Sequence, residues 1–156
     1  MNPHRRTILQ LSAHAGATGL LASSGLLPAR ALASNAPGWN EALFKATRLE
    51  DIARLLGLSL RQSQGVGVVG PNIAEIGAAV PVEVQASAAG VDMLGIAVPK
   101  NPVALVGLFV LEPGALPKVA TRIKMAQSSH VYALARVGKE LLFSRTFIKV
   151  TVGGCG

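Results

Sequence analysis

The sequence predicts a mainly β protein: an immunoglobulin-like antiparallel β-sandwich preceded by one or two short N-terminal helices. Three observations carry this. Val80, Val82, Val84 and Ala86 alternate with Pro81, Glu83 and Gln85, the period of a half-buried strand. Turn signals recur at short intervals from Gly70-Pro71 onward. Helical spacing is confined to Trp39–Leu56, where Leu43, Phe44, Leu49, Ile52, Leu55 and Leu56 stand among charged residues. Seven short strands without intervening helices suit a sandwich.

In chain order, residues 1–33 read as an export signal rather than a piece of fold. Arg5-Arg6 precede a mildly apolar run from Ile8 to Leu27, broken by Gln10, Ser12, His14, Gly16 and Thr18. Ala31-Leu32-Ala33 offers small residues at the positions a signal peptidase reads, so cleavage is expected after Ala33. The paired arginines and weak hydrophobicity favour the twin-arginine route and a periplasmic location. An uncleaved anchor is disfavoured by the polar interruptions, and a lipoprotein by the lack of a Cys at the cleavage site.

Residues 34–65 follow as an N-terminal helical segment, with Asn40 or Thr47 as caps and Gly57 as a stop. Residues 66–152 form the sandwich. Strands are expected at Val66–Val69, Val80–Ala86, Met93–Val98, Val103–Leu111, Val119–Met125, Val131–Val137 and Leu141–Val152. Val103–Leu111 is apolar on both faces, which places it centrally or at a partner interface.

Composition narrows the function classes. The chain has 15 Lys and Arg against 8 Asp and Glu, a formal charge of +7. Loss of Arg5, Arg6 and Arg30 with the signal leaves 12 against 8, or +4. Removing residues 1–33 from 156 leaves 123, one domain's worth of chain. No cluster of basic residues interleaves with aromatics, so nucleic acid is not an expected partner. No second apolar span of membrane length follows the signal, so no membrane association is expected after cleavage.

The one cysteine, Cys155, stands in Gly153-Gly154-Cys155-Gly156. Glycine on both sides removes the side chains that would shield the sulfur. Four extended residues span about 13 Å, enough to carry a thiol into another protein's cleft. Residues 153–156 are therefore expected to be a flexible carrier arm. The alternatives are a frayed tail with an incidental Cys and an intermolecular disulfide, which is open to an unpaired Cys in an exported protein.

Several segments resemble the SoxY family of sulfur-oxidation carriers. Pro71-Asn72-Ile73-Ala74-Glu75-Ile76-Gly77 leading into Val80-Pro81-Val82 is similar to that family's PxIAExGxxVPV segment. Asn101-Pro102, Pro113-Gly114-Ala115, Thr121–Ser128 and Val150–Gly156 follow in the same order. The family usually closes on GGCGG, one glycine longer than this chain, and often has a polar residue where Ile76 stands.

The resemblance implies a carrier with no catalytic residues and no cofactor beyond a sulfur intermediate held covalently on Cys155. It implies a SoxZ-like β-sandwich subunit as a stable partner, in a heterodimer or larger complex. Transient partners would be the haem-containing SoxAX, which attaches thiosulfate, SoxB, which hydrolyses off sulfate, and a sulfane dehydrogenase. Gly153, Gly154 and Gly156 would form the arm.

Other residues carry weaker signals. His130 with Met93 and Met125 suggests copper by ligand type, but strand positions favour core packing and surface exposure, and no metal site is expected. Glu75, beside a turn, reads as structural or as a partner contact. Arg145 and Lys149 precede the arm and read as a solvated strand face, with screening of an anionic adduct as the alternative. The alternative function is a periplasmic structural or binding module locked by a disulfide through Cys155.

Overall fold

Only one stretch ahead of the strands has helical periodicity, and in the computed structural model, which describes residues 40–152, it forms two short pieces. A 3-10 turn spans Leu43–Lys45, and helix α1 spans Leu49–Leu55. Asn40 Oδ1 accepts the Ala42 N–H at 3.1 Å ahead of the turn. Thr47 does not cap α1: Arg48 is the N-cap and makes no side-chain bond there. Glu50 and Asp51 in the first turn favour the helix dipole instead.

Gly57 ends the helix as expected, at φ +68°. Its N–H reaches Arg54 O at 3.0 Å, and the Leu58 N–H reaches Ala53 O at 2.9 Å. This is the Schellman pair of bonds, which needs a left-handed residue that glycine adopts without strain.

A helix of seven residues is not stable alone in water. Leu49, Ile52 and Ala53, at i, i+3 and i+4, are buried. They pack with Met93, Leu105, Leu134 and Leu141 of the larger sheet. Ile52 has no exposed surface, so truncating it to Ala costs about 2–5 kcal/mol.

Nine strands follow among the described residues: β1 (Ser59–Gln62), β2 (Val66–Val69), β3 (Ile73–Ile76), β4 (Val80–Ala86), β5 (Val91–Ala97), β6 (Leu105–Val110), β7 (Lys118–Ile123), β8 (Ser129–Val137) and β9 (Glu140–Val152). The larger sheet has the order β1-β9-β8-β5-β6, with β3 also paired to β9. The smaller has the order β2-β4-β7. The mainly β sandwich preceded by short helices is the fold observed.

Two strands were not anticipated. β1 lies inside the segment expected to be helical, and β3 inside a stretch, after the Gly70-Pro71 turn signal, to which no strand was assigned. Both pair parallel to β9, β1 at Ser59–Gln62 with Glu140–Phe143 and β3 at Ile73–Ile76 with Lys149–Val152. Between them the chain crosses to the smaller sheet as β2, antiparallel to β4. The sandwich is therefore not wholly antiparallel.

The core between the sheets is built from Val80, Val82 and Val84 of β4 with Leu94, Ile96, Val131 and Ile148 of the larger sheet. With the helices packed on its other side, the larger sheet is covered on both faces. That is why Met93 to Ala97 are buried without alternation.

It also removes the first of the two expectations for Val103–Leu111. β6 is an edge strand rather than a central one. Its two apolar faces have different covers. Phe109 joins the core between the sheets, and Leu105 and Leu108 join the helix-covered one. Val106 is the extra residue of a bulge where the β5 register shifts.

Candidate functional site

β9 begins at a two-residue hairpin in which Gly138, at φ +57°, supplies the left-handed position. Near this end Arg61 grips Glu140 with two bonds, Nε to Oε1 at 2.9 Å and Nη2 to Oε2 at 2.8 Å. The bonds from Arg61 hold the Glu140 carboxyl below the usual range. This pair ties β1 to β9 far from the opposite end, where β9 leads toward Cys155.

Cys155, Gly153, Gly154 and Gly156 lie outside the described residues, as do Arg5, Arg6 and Ala33. What is described is the anchor from which residue 153 continues. On one side β3 holds it: Ala74 pairs with Val150 and Ile76 with Val152. The Lys149 N–H donates to Asn72 O at 3.0 Å, and the Thr151 hydroxyl donates to Glu75 O at 3.0 Å.

On the other side the pairing of β8 ends at Ser129 with Ile148, and a side chain supplies the next rung. Ser128 Oγ accepts the Val150 N–H at 2.9 Å and donates to Val150 O at 3.3 Å. Ser128 is itself positioned by its own segment. Met125 is fully buried and donates its N–H to Gly77 O at 2.8 Å. Asn101 brackets the same segment, Nδ2 donating to Lys124 O at 2.8 Å and Oδ1 accepting the Ala126 N–H at 2.9 Å.

Thus Asn72, Glu75 and Ser128 bond the end of β9 at Lys149, Thr151 and Val150, while Gly77 and Asn101 hold the segment 124–126 that leads to Ser128. The five come from three separate motifs. Their part was not visible in the sequence, although each lies in a motif quoted there. For Asn101 and Ser128 the usable signal was a polar residue of turn-forming type whose side chain can bond backbone groups beyond the end of a ladder. Asn72, Glu75 and Gly77 act through backbone carbonyls, which residue type does not mark.

The remaining candidates separate. The Glu75 carboxylate is exposed and has no ion pair among the described residues; its backbone carbonyl does the anchoring. His130 is exposed, with its ring edge-on to Phe147 at 5.3 Å. Met125 belongs to the core between the sheets and Met93 to the helix-covered core, so the two thioethers do not meet. Arg145 donates to the Tyr132 hydroxyl at 3.3 Å, and Lys149 is exposed.

This is a small immunoglobulin-like module that fixes Val150–Val152, the residues before the cysteine-bearing segment, at one end of the sandwich. The chain belongs to the SoxY family: the model described as "Sulfur oxidation protein SoxY" matches residues 52–155, from α1 through Cys155. Among solved structures it is similar to the sulfur carrier protein SoxY from Chlorobium limicola f thiosulfatophilum. The identity is 32%, the TM-score 0.60, and the match covers 66% of this chain and 94% of that one. No curated protein matches.

Proposed function

We propose that this protein is a periplasmic covalent sulfur carrier, holding thiosulfate-derived intermediates on Cys155 while partner enzymes act on them. The observation that carries the reading is the anchoring of Val150–Val152 from both sides, immediately before the only thiol. Such a base gives the segment a defined exit, which a carrier needs and an incidental tail does not. Membership of the SoxY family supports the same role.

The chemistry balances as follows. The Cys155 thiolate and thiosulfate join through a new S–S bond with loss of two electrons, taken up by a haem partner of SoxAX type. Water then cleaves the S–SO3 bond in a SoxB-type partner, releasing sulfate and a proton and leaving a persulfide on Cys155. A sulfane dehydrogenase would oxidise that remaining sulfur. The protein contributes the thiol and its presentation and is not itself the enzyme.

A SoxZ-like subunit is the proposed stable partner. The unpaired edge of β6, with Val103 and Val110 exposed, supports a β-rich neighbour. Arg5-Arg6 and the run to Ala33 support twin-arginine export.

The test is intact mass of the protein from cells grown on thiosulfate. A carrier acquires about 112 Da for an added thiosulfate unit, removable by reductant. Disulfide-linked dimers alone, with no adduct, would refute the reading in favour of a cross-linked structural module.

A further inference from the structure

The cations of this domain are sorted by position. Among the described residues Lys45, Arg48, Arg54, Arg61, Lys118 and Arg136 each have a carboxylate partner. Lys100, Arg122, Lys124 and Lys149 are exposed and have none. All four lie at the end where β9 delivers the chain to residue 153. Lys149 pairs with Ile73 of β3, and Arg122 with Pro81 near the start of β4. The Lys124 and Lys100 carbonyls accept side-chain bonds from Asn101 and Gln127 in the neighbouring loops. Glu75 is the one carboxylate without an ion pair described at this end; Glu112 and Lys139 belong to the other, and Arg145, also without a carboxylate partner, lies mid-strand and bonds the Tyr132 hydroxyl.

Exposed apolar side chains lie at the same end. Ile76 and Val152, 64% and 61% exposed, are direct strand partners on one face of the sheet, and Ile73, 57% exposed, lies on the other beside Lys149. An apolar centre with a polar rim is the anatomy of a protein–protein contact. Unneutralised cations on that rim complement an acidic surface.

We propose that this end is a docking collar for partner enzymes whose clefts are rimmed by carboxylates. The inference rests on the carrier reading. Cys155 is three residues beyond Val152, at most about 10 Å away. With the thiol inside a cleft, the collar faces the mouth of that cleft rather than the sulfur. The cations therefore act on the partner's rim and raise the encounter rate, while the reacting sulfur lies beyond them.

The test compares the natively processed protein with a Lys124→Glu/Lys149→Glu variant, with Lys139→Glu at the far end as control. Each is loaded at Cys155 and supplied to the sulfate-releasing hydrolase of the same sulfur-oxidising system over a range of salt. The collar predicts a fall in kcat/KM of about tenfold or more at low ionic strength, with kcat unchanged and the difference closing at high salt. Alkylation of free Cys155 by neutral iodoacetamide should be the same in all three. The neutral variant Lys124→Gln/Lys149→Gln should show a smaller loss in the same direction, which separates charge from misfolding.

Equal kcat/KM and equal salt slopes in all variants, with normal loading, overturn the collar and leave the carrier intact. If reaction with the small anion tetrathionate falls as much as the enzymatic rate, the cations serve the sulfur anion and the protein-docking proposal is wrong. A wild type that never takes up sulfur overturns the carrier reading itself, and intact mass shows that outcome separately.

Discussion

Replacing Ser128 by Ala tests whether the base of the arm is held in the way the geometry implies. Ser128 Oγ makes two bonds to Val150, at 2.9 and 3.3 Å, on the edge that β8 has already left. β3 cannot substitute, because it binds the opposite edge of β9. Two ordinary hydrogen bonds contribute about 0.5–1.5 kcal/mol each. The expected loss is therefore about 2 kcal/mol in the local opening of Val150–Val152, or about thirtyfold faster amide exchange. The cores are untouched, so the thermal midpoint should fall by only a few degrees, and Ser128→Thr, which keeps a hydroxyl, should recover much of the protection. Hydrogen exchange resolved at Val150, Thr151 and Val152 is the assay. Turnover of the loaded carrier by a partner enzyme should drop while iodoacetamide alkylation of Cys155 is unchanged. Exchange within twofold of wild type at Val150 would refute the argument that a side chain supplies the last rung.

Four further outcomes are expected. Cys155→Ser should abolish sulfur adducts and leave the midpoint within a few degrees of wild type; an adduct persisting on the variant would falsify the carrier assignment. Gly153→Val with Gly154→Val should leave Cys155 open to a small alkylating reagent but slow enzymatic loading and unloading sharply, since branched side chains add bulk beside the sulfur; unchanged turnover would mean the thiol is reached from outside any cleft. Arg5→Lys with Arg6→Lys should shift the protein from periplasm to cytoplasm on fractionation, and an unchanged periplasmic yield would indicate the general secretory route. The depressed carboxyl of Glu140 stabilises the fold above the ordinary carboxylate range and loses that effect as pH falls through its lowered value. The midpoint of Arg61→Gln should accordingly lie below wild type near about pH 7, and the gap should narrow toward about pH 2; a gap that does not depend on pH would assign the effect to packing.

The parts of the fold legible in the sequence are those where burial enforces a period. β4 has one face on the core between the sheets and one on solvent, and its alternation marked its bounds at Val80 and Ala86. α1 was legible for the same reason at i, i+3 and i+4, and Gly57 marked its end. β1 and β3 were not, because each is four residues long and mostly exposed. They are held by backbone pairing to β9, which leaves no mark on side-chain polarity. The position of β6 was not decided, because an apolar strand with two covered faces looks the same at an edge as at the centre. The helices that cover one of those faces are far away in sequence. At the site, the cysteine and its glycines were conspicuous by residue type alone. Ser128 and Asn101 were not, because their part lies in which backbone groups their side chains reach, nor was Asn72, which acts through its backbone carbonyl.

The anchoring has an energetic consequence for a carrier. Ordering a residue's backbone costs about 1–2 kcal/mol, and each arm residue fixed inside a cleft adds that cost to binding. If Val150, Thr151 and Val152 also had to be ordered at each encounter, the added cost would be about 3–6 kcal/mol. That corresponds to a loss of about 10² to 10⁴ in affinity. β3 on one edge and Ser128 on the other remove this cost before any partner is met, since both holds exist in the free protein. The boundary at Val152 thus divides two requirements: residues before it are fixed so that the exit is defined, and residues after it carry no bulk, so that a narrow cleft admits them. A carrier that must be released after each step gains little from contacts inside the cleft. It gains more from a fixed base and a surface at that base which is recognised quickly and left easily.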